Sequence, residues 1–313
     1  EFGFGFVIAH NSMRNHLSEL MKKGLASDDF SAEQKDIFTQ WLEKKEDAEG
    51  SKEASAQLVT ALTGINHPVA QEILSMEKYL TKKSIWVFGG DGWAYDIGFG
   101  GLDHVLAGGQ DINILVLDTE VYSNTGGQSS KSTPMAAVAK FAAAGKRIRK
   151  KDLGMIAATY GYVYVAQVAM GANQSHYLKA LKEAESYHGP SIIIAYSPCI
   201  SHGLKRGMGT AQSEEKAAVE CGYWHLWRYD PRLEDEGKNP FQLDSKEPDW
   251  SKFRDFLLGE VRYTQLIKSF PRQADELFDA ARENAQWRYR SYQRMAAAHY
   301  GEPAGETVEV VEE

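Results

Sequence analysis

The sequence predicts an α/β chain: a doubly wound, mostly parallel sheet with helical flanks. Three observations predict it. Four short apolar runs, at 84–88, 112–117, 162–166 and 191–196, lack the alternation of half-exposed strands, as strands buried on both faces do. Helical stretches at about 94–108, 134–149 and 174–187 lie between them, so strand and helix alternate. Much of the glycine, 28 residues in all, gathers at the ends of those runs, where open α/β sheets hold their ligands.

Composition sets the outer bounds. The chain has 313 residues, 43% hydrophobic and 25% charged, which excludes a disordered, collagen-like or coiled-coil protein. A balance of 35 Lys+Arg against 43 Asp+Glu gives −8 and argues against binding a nucleic-acid backbone. Two cysteines make neither a disulfide scaffold nor a four-thiolate cluster on their own. No run of about 18 apolar residues suggests a membrane span. The start Glu1-Phe2-Gly3-Phe4-Gly5-Phe6 has no basic flank before an apolar core, so no secretory signal is expected and a cytoplasmic location is. The first Met is Met13, which predicts a processed, split or truncated product.

The elements follow in order. Val7, Ile8, Met13, Leu17, Leu20 and Met21 predict a helix over 7–23. Ser31 with Gln34 is a capping pair for a Lys/Glu-rich helix over 32–48. Two more helices, 53–63 and 68–80, are separated by Gly64 and Pro68. Residues 1–83 thus form a helical segment expected to pack on the core. The α/β domain is expected over 84–227, with Pro134 in the first turn of a helix over 134–149 and a further helix over 213–220. Residues 228–300 are expected to hold an extended crossing segment up to 252 and helices over 251–267 and 271–297. The acidic tail 301–313 is expected to be disordered.

The chemistry gathers at the strand ends. Gly90-Asp91-Gly92 ends the first strand. Glycines there admit a ligand close to the backbone, the next helix N-terminus favours a diphosphate, and Asp91 is a hard ligand for Mg²⁺. On its own that tripeptide is ordinary turn punctuation. The second run ends in Asp118-Thr119-Glu120-Val121-Tyr122-Ser123-Asn124-Thr125-Gly126-Gly127-Gln128. Consecutive strands are often neighbours, so Thr119, a nearby carbonyl and Asn124 can complete an oxygen shell with Asp91. Gly-Asp-Gly, about thirty residues, then Asn is the layout of the thiamine-diphosphate motif.

Over nearly its whole length the chain resembles the C-terminal, thiamine-diphosphate-binding part of the pyruvate:ferredoxin (flavodoxin) oxidoreductase family. The resemblance rests on Phe88–Gly98, Thr119–Gln128, Ser197-Pro198-Cys199-Ile200 with His202-Gly203, and Gly237–Lys246. It implies that Asp91, Thr119 and the Val121 carbonyl bind Mg²⁺, and that Asn124 lies beside the thiazolium and the 2-oxo acid. It implies that Gly90, Gly92, Trp93, Thr125 and Gln128 line the cofactor. It implies that Cys199, otherwise read as a small core side chain, is one ligand of a [4Fe–4S] cluster whose other three ligands lie upstream of this chain. The implied activity is that of anaerobic metabolism: pyruvate is decarboxylated, CoA takes the acetyl group, and electrons pass through iron–sulfur clusters to ferredoxin or flavodoxin. The glutamate that acts on the aminopyrimidine has no candidate domain here. The chain alone is therefore expected to be catalytically incomplete, working with the remaining domains or subunits of the same enzyme and as a homodimer.

Two other functions remain as alternatives: a thiamine-diphosphate decarboxylase or carboligase without clusters, and a non-catalytic Mg²⁺–diphosphate-binding subunit. Several features are set aside. Gly126–Thr133 is P-loop-like but has Ser130 where a glycine precedes the Lys, and Gly98-Phe99-Gly100-Gly101 is out of register for a dinucleotide fingerprint. Asn173-Gln174-Ser175 is a formal glycosylation sequon without a secretory context. His104, His176 and His202 read as structural or surface residues, His202 having the best case for a role, and Cys221 reads as structural. The basic run Lys146-Arg147-Arg149-Lys150-Lys151 reads as a helix C-terminus favoured by the macrodipole, with docking of an acidic ferredoxin as the alternative.

Overall fold

A computed structural model describes residues 1–300 and divides the chain into two compact units, Glu1–Ile85 and Trp86–Glu313. The tail 301–313, expected to be disordered, lies outside the described residues.

The first unit is helical: α1 (Phe2–Ala26), α2 (Ala32–Lys44), α3 (Ala48–Leu62) and α4 (Pro68–Ser75). The starts follow from local chemistry. Ser31 and Gln34 form a reciprocal capping box on α2, Asp47 accepts from the Gly50 N–H on α3, and Pro68 opens α4. Leu17, Leu20, Met21, Phe38, Trp41, Leu58 and Ile73 make its core. α1 starts five residues before the apolar period indicates, running through Gly3 and Gly5.

The second unit carries β1 (Trp86–Gly90), a π-helical turn (Gly92–Ile97), α5 (Phe99–Ala107), β2 (Ile112–Asp118), α6 (Leu153–Ala158), β3 (Tyr164–Val168), α7 (Gln174–Ser186) and β4 (Pro190–Tyr196). α8 (Ala211–Glu220), β5 (Trp227–Tyr229), α9 (Arg232–Asp235), β6 (Phe241–Leu243), α10 (Phe253–Gly259), α11 (Val261–Ser269) and α12 (Pro271–Ala296) follow. The six strands form one sheet in the order β1-β2-β4-β3-β5-β6. The first four are mutually parallel, and β5 and β6 run antiparallel at one side. Every residue of β3 and β4 is buried, which is why those runs show no alternation. The α/β class with a mostly parallel sheet is thus the observed fold. No helix among the described residues is long and apolar enough to cross a membrane.

Two expectations fail. Residues 134–149 are not a helix but an irregular loop joined by isolated bridges, with Ala136 and Phe141 at φ 69° and 70°. The Ala-rich segment has helical propensity, but tertiary bonds override it. Lys146 Nζ donates to the Ser130 carbonyl at 2.7 Å, and Lys146 exchanges backbone bonds with Ala136 and Ala137. The extended crossing segment over 228–252 instead contributes β5, α9 and β6. Strands of three residues are too short to display a period of two.

Candidate functional site

Parallel pairing brings three loops together. Gly90 of β1 lies opposite Leu117 of β2, and Asp118 of β2 opposite Tyr196 of β4. The chain leaving each strand, Asp91, Thr119–Gln128 and Ser197–His202, therefore emerges at the same end of the sheet. Ser197 N–H donates to the Asp118 carbonyl at 3.0 Å and ties the second and third loops.

Asp91 is the centre of the first cluster. It is 1% exposed, and its two oxygens have different partners. Oδ2 accepts from Ser130 Oγ at 2.9 Å and Ser132 Oγ at 2.7 Å. Oδ1 faces Thr119 Oγ1 at 2.9 Å, which in turn lies 3.1 Å from the Val121 carbonyl oxygen. Adjacent oxygens around an octahedral Mg²⁺ at ~2.1 Å lie about 3.0 Å apart. Thr119 Oγ1, hydrogen-bonded to both the carboxylate and the carbonyl, thus lies from each at a distance compatible with neighbouring ligands of that ion. One carboxylate with neutral oxygens leaves the remaining positions to phosphate and water, so the donor set fits Mg²⁺ beside a diphosphate. Among the described residues no three His, Cys, Asp or Glu side chains gather as a metal group.

A hydrogen-bonded chain leads on from Thr119. Ser123 Oγ donates to Thr119 Oγ1 at 3.2 Å and lies 3.0 Å from Cys199 Sγ. His202 Nδ1 lies 3.4 Å from the same sulfur, and His202 Nε2 is 2.9 Å from the Val138 carbonyl oxygen. Burial, with Arg262 nearby, lowers the His202 pKa and favours the neutral ring. Cys199 itself is 1% exposed and packs with Val121 and Ala139. That is the setting of a small core side chain, not of an open thiol. Cys199 could supply no more than one of the four thiolates, or their equivalents, that a [4Fe–4S] cluster needs.

Behind Thr119 lies a buried ionic network. Lys150 Nζ is 2.7 Å from Asp118 Oδ2 and 2.9 Å from Glu120 Oε1, with both carboxylates fully enclosed. Arg262 pairs with Glu260 at 2.7 Å and with Glu120 at 3.4 Å. Tyr95 OH donates to Asp118 at 2.7 Å, and Tyr223 OH donates to Glu120. Burial pushes the Asp118 carboxyl up to about 6, against Lys150 and with Asp91 and Glu120 adding to the rise. Burial opposes the charge on Glu120 too, but Lys150 and Arg262 outweigh it and hold that carboxyl below its usual range. The basic run 146–151 is thus no helix terminus: Lys150 is drawn inside as the counter-ion of Asp118 and Glu120.

The remaining expected residues fall around the same end. Gly90 is exposed, and Gly92 is buried against the Tyr122 ring. Trp93 nests on Gly89 and Gly98, where any Cβ would overlap its indole. Thr125 Oγ1 donates to Gln128 Oε1 at 2.9 Å, and Gln128 Nε2 donates to the Thr125 carbonyl at 3.0 Å. They close a turn whose Gly126 and Gly127 sit at φ 117° and 83°. Asn124, at the exposed tip of that turn, makes no side-chain hydrogen bond among the described residues. Sequence reasoning missed Ser130, Ser132, Glu120, Lys150 and Arg262. The serines lay inside the stretch dismissed as P-loop-like, and Lys150 inside the supposed helix end.

The sequence has counterparts among known proteins. The thiamine pyrophosphate enzyme C-terminal TPP-binding domain matches residues 56–195, and the pyruvate-ferredoxin oxidoreductase insertion domain matches residues 13–69. The chain is 56% identical over 301 residues to a pyruvate-flavodoxin oxidoreductase of Klebsiella pneumoniae, covering 95% of this chain and 25% of that protein. It is 53% identical to the pyruvate:ferredoxin oxidoreductase of Moorella thermoacetica, covering 95% of this chain and 26% of that protein. It is 46% identical to a mitochondrial pyruvate dehydrogenase [NADP(+)] of Euglena gracilis, covering 94% of this chain and 16% of that protein. The chain thus spans about a quarter or less of the length of these relatives. With a thiamine pyrophosphate-binding domain model, a pyruvate-ferredoxin oxidoreductase insertion-domain model and this level of identity along almost all of its length, the chain is similar to the part of the pyruvate:ferredoxin (flavodoxin) oxidoreductases that contains their thiamine-diphosphate-binding domain.

Proposed function

We propose that this chain holds thiamine diphosphate through Mg²⁺ within a longer enzyme that oxidises pyruvate to acetyl-CoA. The observation that carries the reading is the trio Asp91 Oδ1, Thr119 Oγ1 and Val121 O, spaced 2.9 and 3.1 Å. Thiamine diphosphate, when bound, supplies the nucleophilic carbon and the electron sink for decarboxylation of a 2-oxo acid. This chain's residues hold and orient it. Asp91, Thr119 and the Val121 carbonyl would anchor the metal that neutralises the diphosphate. Gly90, Gly92, Trp93, Thr125 and Gln128 would border the cofactor. Asn124 has an uncommitted amide at the loop tip, suited to donate to the 2-oxo acid.

Cys199 as a cluster ligand rests on the family resemblance, and no electron step is routed through it. The relatives that match this same region are named for flavodoxin, ferredoxin and NADP⁺. On that ground we assign acceptor choice to parts of the enzyme beyond this chain. Assembly with those parts, pairing as a homodimer and a cytoplasmic location belong to the same proposal.

The test is calorimetric titration of the full chain with thiamine diphosphate at fixed Mg²⁺, repeated without the metal. Binding is expected only with Mg²⁺. Asp91→Ala removes the one charged ligand and should weaken it by about 100-fold or more, on the scale of a lost buried charge partner. Equal affinity of Asp91→Ala and the unaltered chain would refute the site.

A further inference from the structure

Glu120 stands between Thr119, whose Oγ1 faces Asp91 Oδ1, and Val121, whose carbonyl faces the same Thr119 Oγ1. Its backbone lies at φ 64°, in the left-handed region that residues other than Gly, Asn and Asp rarely adopt. That twist ends the extended course of β2 just past Asp118. The carbonyl of Val121 consequently turns back onto the Thr119 hydroxyl, which itself faces the Asp91 carboxylate. Nothing intrinsic to glutamate favours this conformation, so the surroundings must impose it.

They do so at every polar atom of the residue. Glu120 N–H donates to Asp118 Oδ1 at 3.1 Å, and the Glu120 carbonyl accepts from Thr133 Oγ1 at 2.7 Å. Oε1 accepts from Lys150 at 2.9 Å, and Oε2 accepts from Tyr223 OH and, at 3.4 Å, from Arg262. Arg262 Nη1 also holds the Thr119 carbonyl at 3.2 Å, so one guanidinium spans both residues. Lys150 reaches in from the irregular loop after β2, and Arg262 from α11. Buried ion pairs add little net stability against a well-packed apolar alternative, and their best-attested use is to specify one arrangement.

We propose that Glu120, locked by Lys150, Arg262 and Tyr223, is the positioning residue that holds the Val121 carbonyl on the Thr119 hydroxyl beside Asp91 and so presets the metal site; this rests on the Mg²⁺–diphosphate reading of that site. The lock touches neither metal nor cofactor. It sets the Mg²⁺ concentration at which thiamine diphosphate binds.

The experiment measures that concentration by titrating Mg²⁺ into the full chain with thiamine diphosphate present, alongside thermal unfolding. Glu120→Gln keeps the shape but gives up the charge, and should raise the Mg²⁺ requirement by about tenfold, the lower end for groups that orient metal ligands. Glu120→Gly loses the whole lock but enters the left-handed region freely, and should partly restore the requirement while unfolding at a lower temperature than Glu120→Gln. Tyr223→Phe removes one donor without stranding a charge and decides the matter should Glu120→Gln not fold: a raised requirement supports the lock, an unchanged one overturns it. A purely structural role predicts lower melting temperatures with an unchanged Mg²⁺ requirement in all three, and that result would overturn the proposal. Failure of the unaltered chain to bind, or unaltered binding by Asp91→Ala, would instead overturn the metal-site reading itself.

Discussion

Asp91 divides its work between its two oxygens. Ser130 and Ser132 saturate Oδ2 and hold the carboxylate plane, so that Oδ1 stays directed at Thr119. Ser130 Oγ and Ser132 Oγ also lie 2.9 Å apart, and both residues are buried, so the pair is preset without a ligand. A metal ligand whose free oxygen is pinned in this way loses little freedom on binding. Removing both hydroxyls in Ser130→Ala/Ser132→Ala leaves Oδ2 buried without donors and lets the carboxylate rotate. The expected outcome is a roughly 10- to 100-fold weaker Mg²⁺-dependent binding of thiamine diphosphate, the usual range for partners that orient a metal ligand. Calorimetry on the double variant checks it, and affinity equal to that of the unaltered chain would show that the serines serve only the fold.

Among the elements, the motif Gly237–Lys246 resolves into structural work. Asn239 Nδ2 donates to the carbonyls of Met295, Ala296 and Ala298 at 2.7, 3.1 and 3.0 Å, capping the C-terminus of α12. Its Oδ1 accepts from Phe241 N–H at 2.8 Å and starts β6. Asp244 pairs with Arg228 at 2.9 Å and with His176 at 3.0 Å, joining β5, α7 and the end of β6. Asn239→Ala should therefore cost about 1–2 kcal/mol of stability by loss of several carbonyl partners, read as a lower midpoint in urea with unchanged thiamine-diphosphate affinity. The four parallel strands and the three loops they deliver were legible in the sequence because buried β-branched runs and glycine-marked ends are local signals. Asp91 and Thr119 stood out as candidates at those same ends, while Val121 came only with the family resemblance. The loop 129–151 was not, because its shape is set by distant partners. Ser130 turns toward Asp91, Thr133 toward Glu120 and Lys150 into the core, while Ala136–Ala144 reads locally as helix. Arg262, more than a hundred residues beyond Glu120, leaves no trace at the motif it supports.

Across the molecule, two buried groups respond to acid in opposite senses. Asp118 has its folded pKa raised to about 6, so the folded state binds its proton more readily than the unfolded chain. Its contribution to stability is present below the ordinary carboxylate range and is lost as pH rises through about 6. His225 is fully enclosed beside Trp250, Tyr289 and Tyr292, and burial with Arg288 nearby lowers its pKa from 6.5 to about 3. Here the unfolded chain binds the proton more readily. Stability is complete above about 6.5 and is lost progressively as pH falls toward about 3. Between pH 4 and 6 the two effects offset one another, and the unaltered chain should show a shallow profile from this pair. His225→Phe keeps an aromatic of similar size among its tyrosine neighbours and removes only the proton. The unaltered chain should then lose stability relative to this variant on acidification, by up to about 1.4 kcal/mol per pH unit in that window. Urea unfolding at several pH values measures it. Parallel profiles would mean that His225 is not forced to stay neutral in the fold, and that the aromatic enclosure around it opens readily to water.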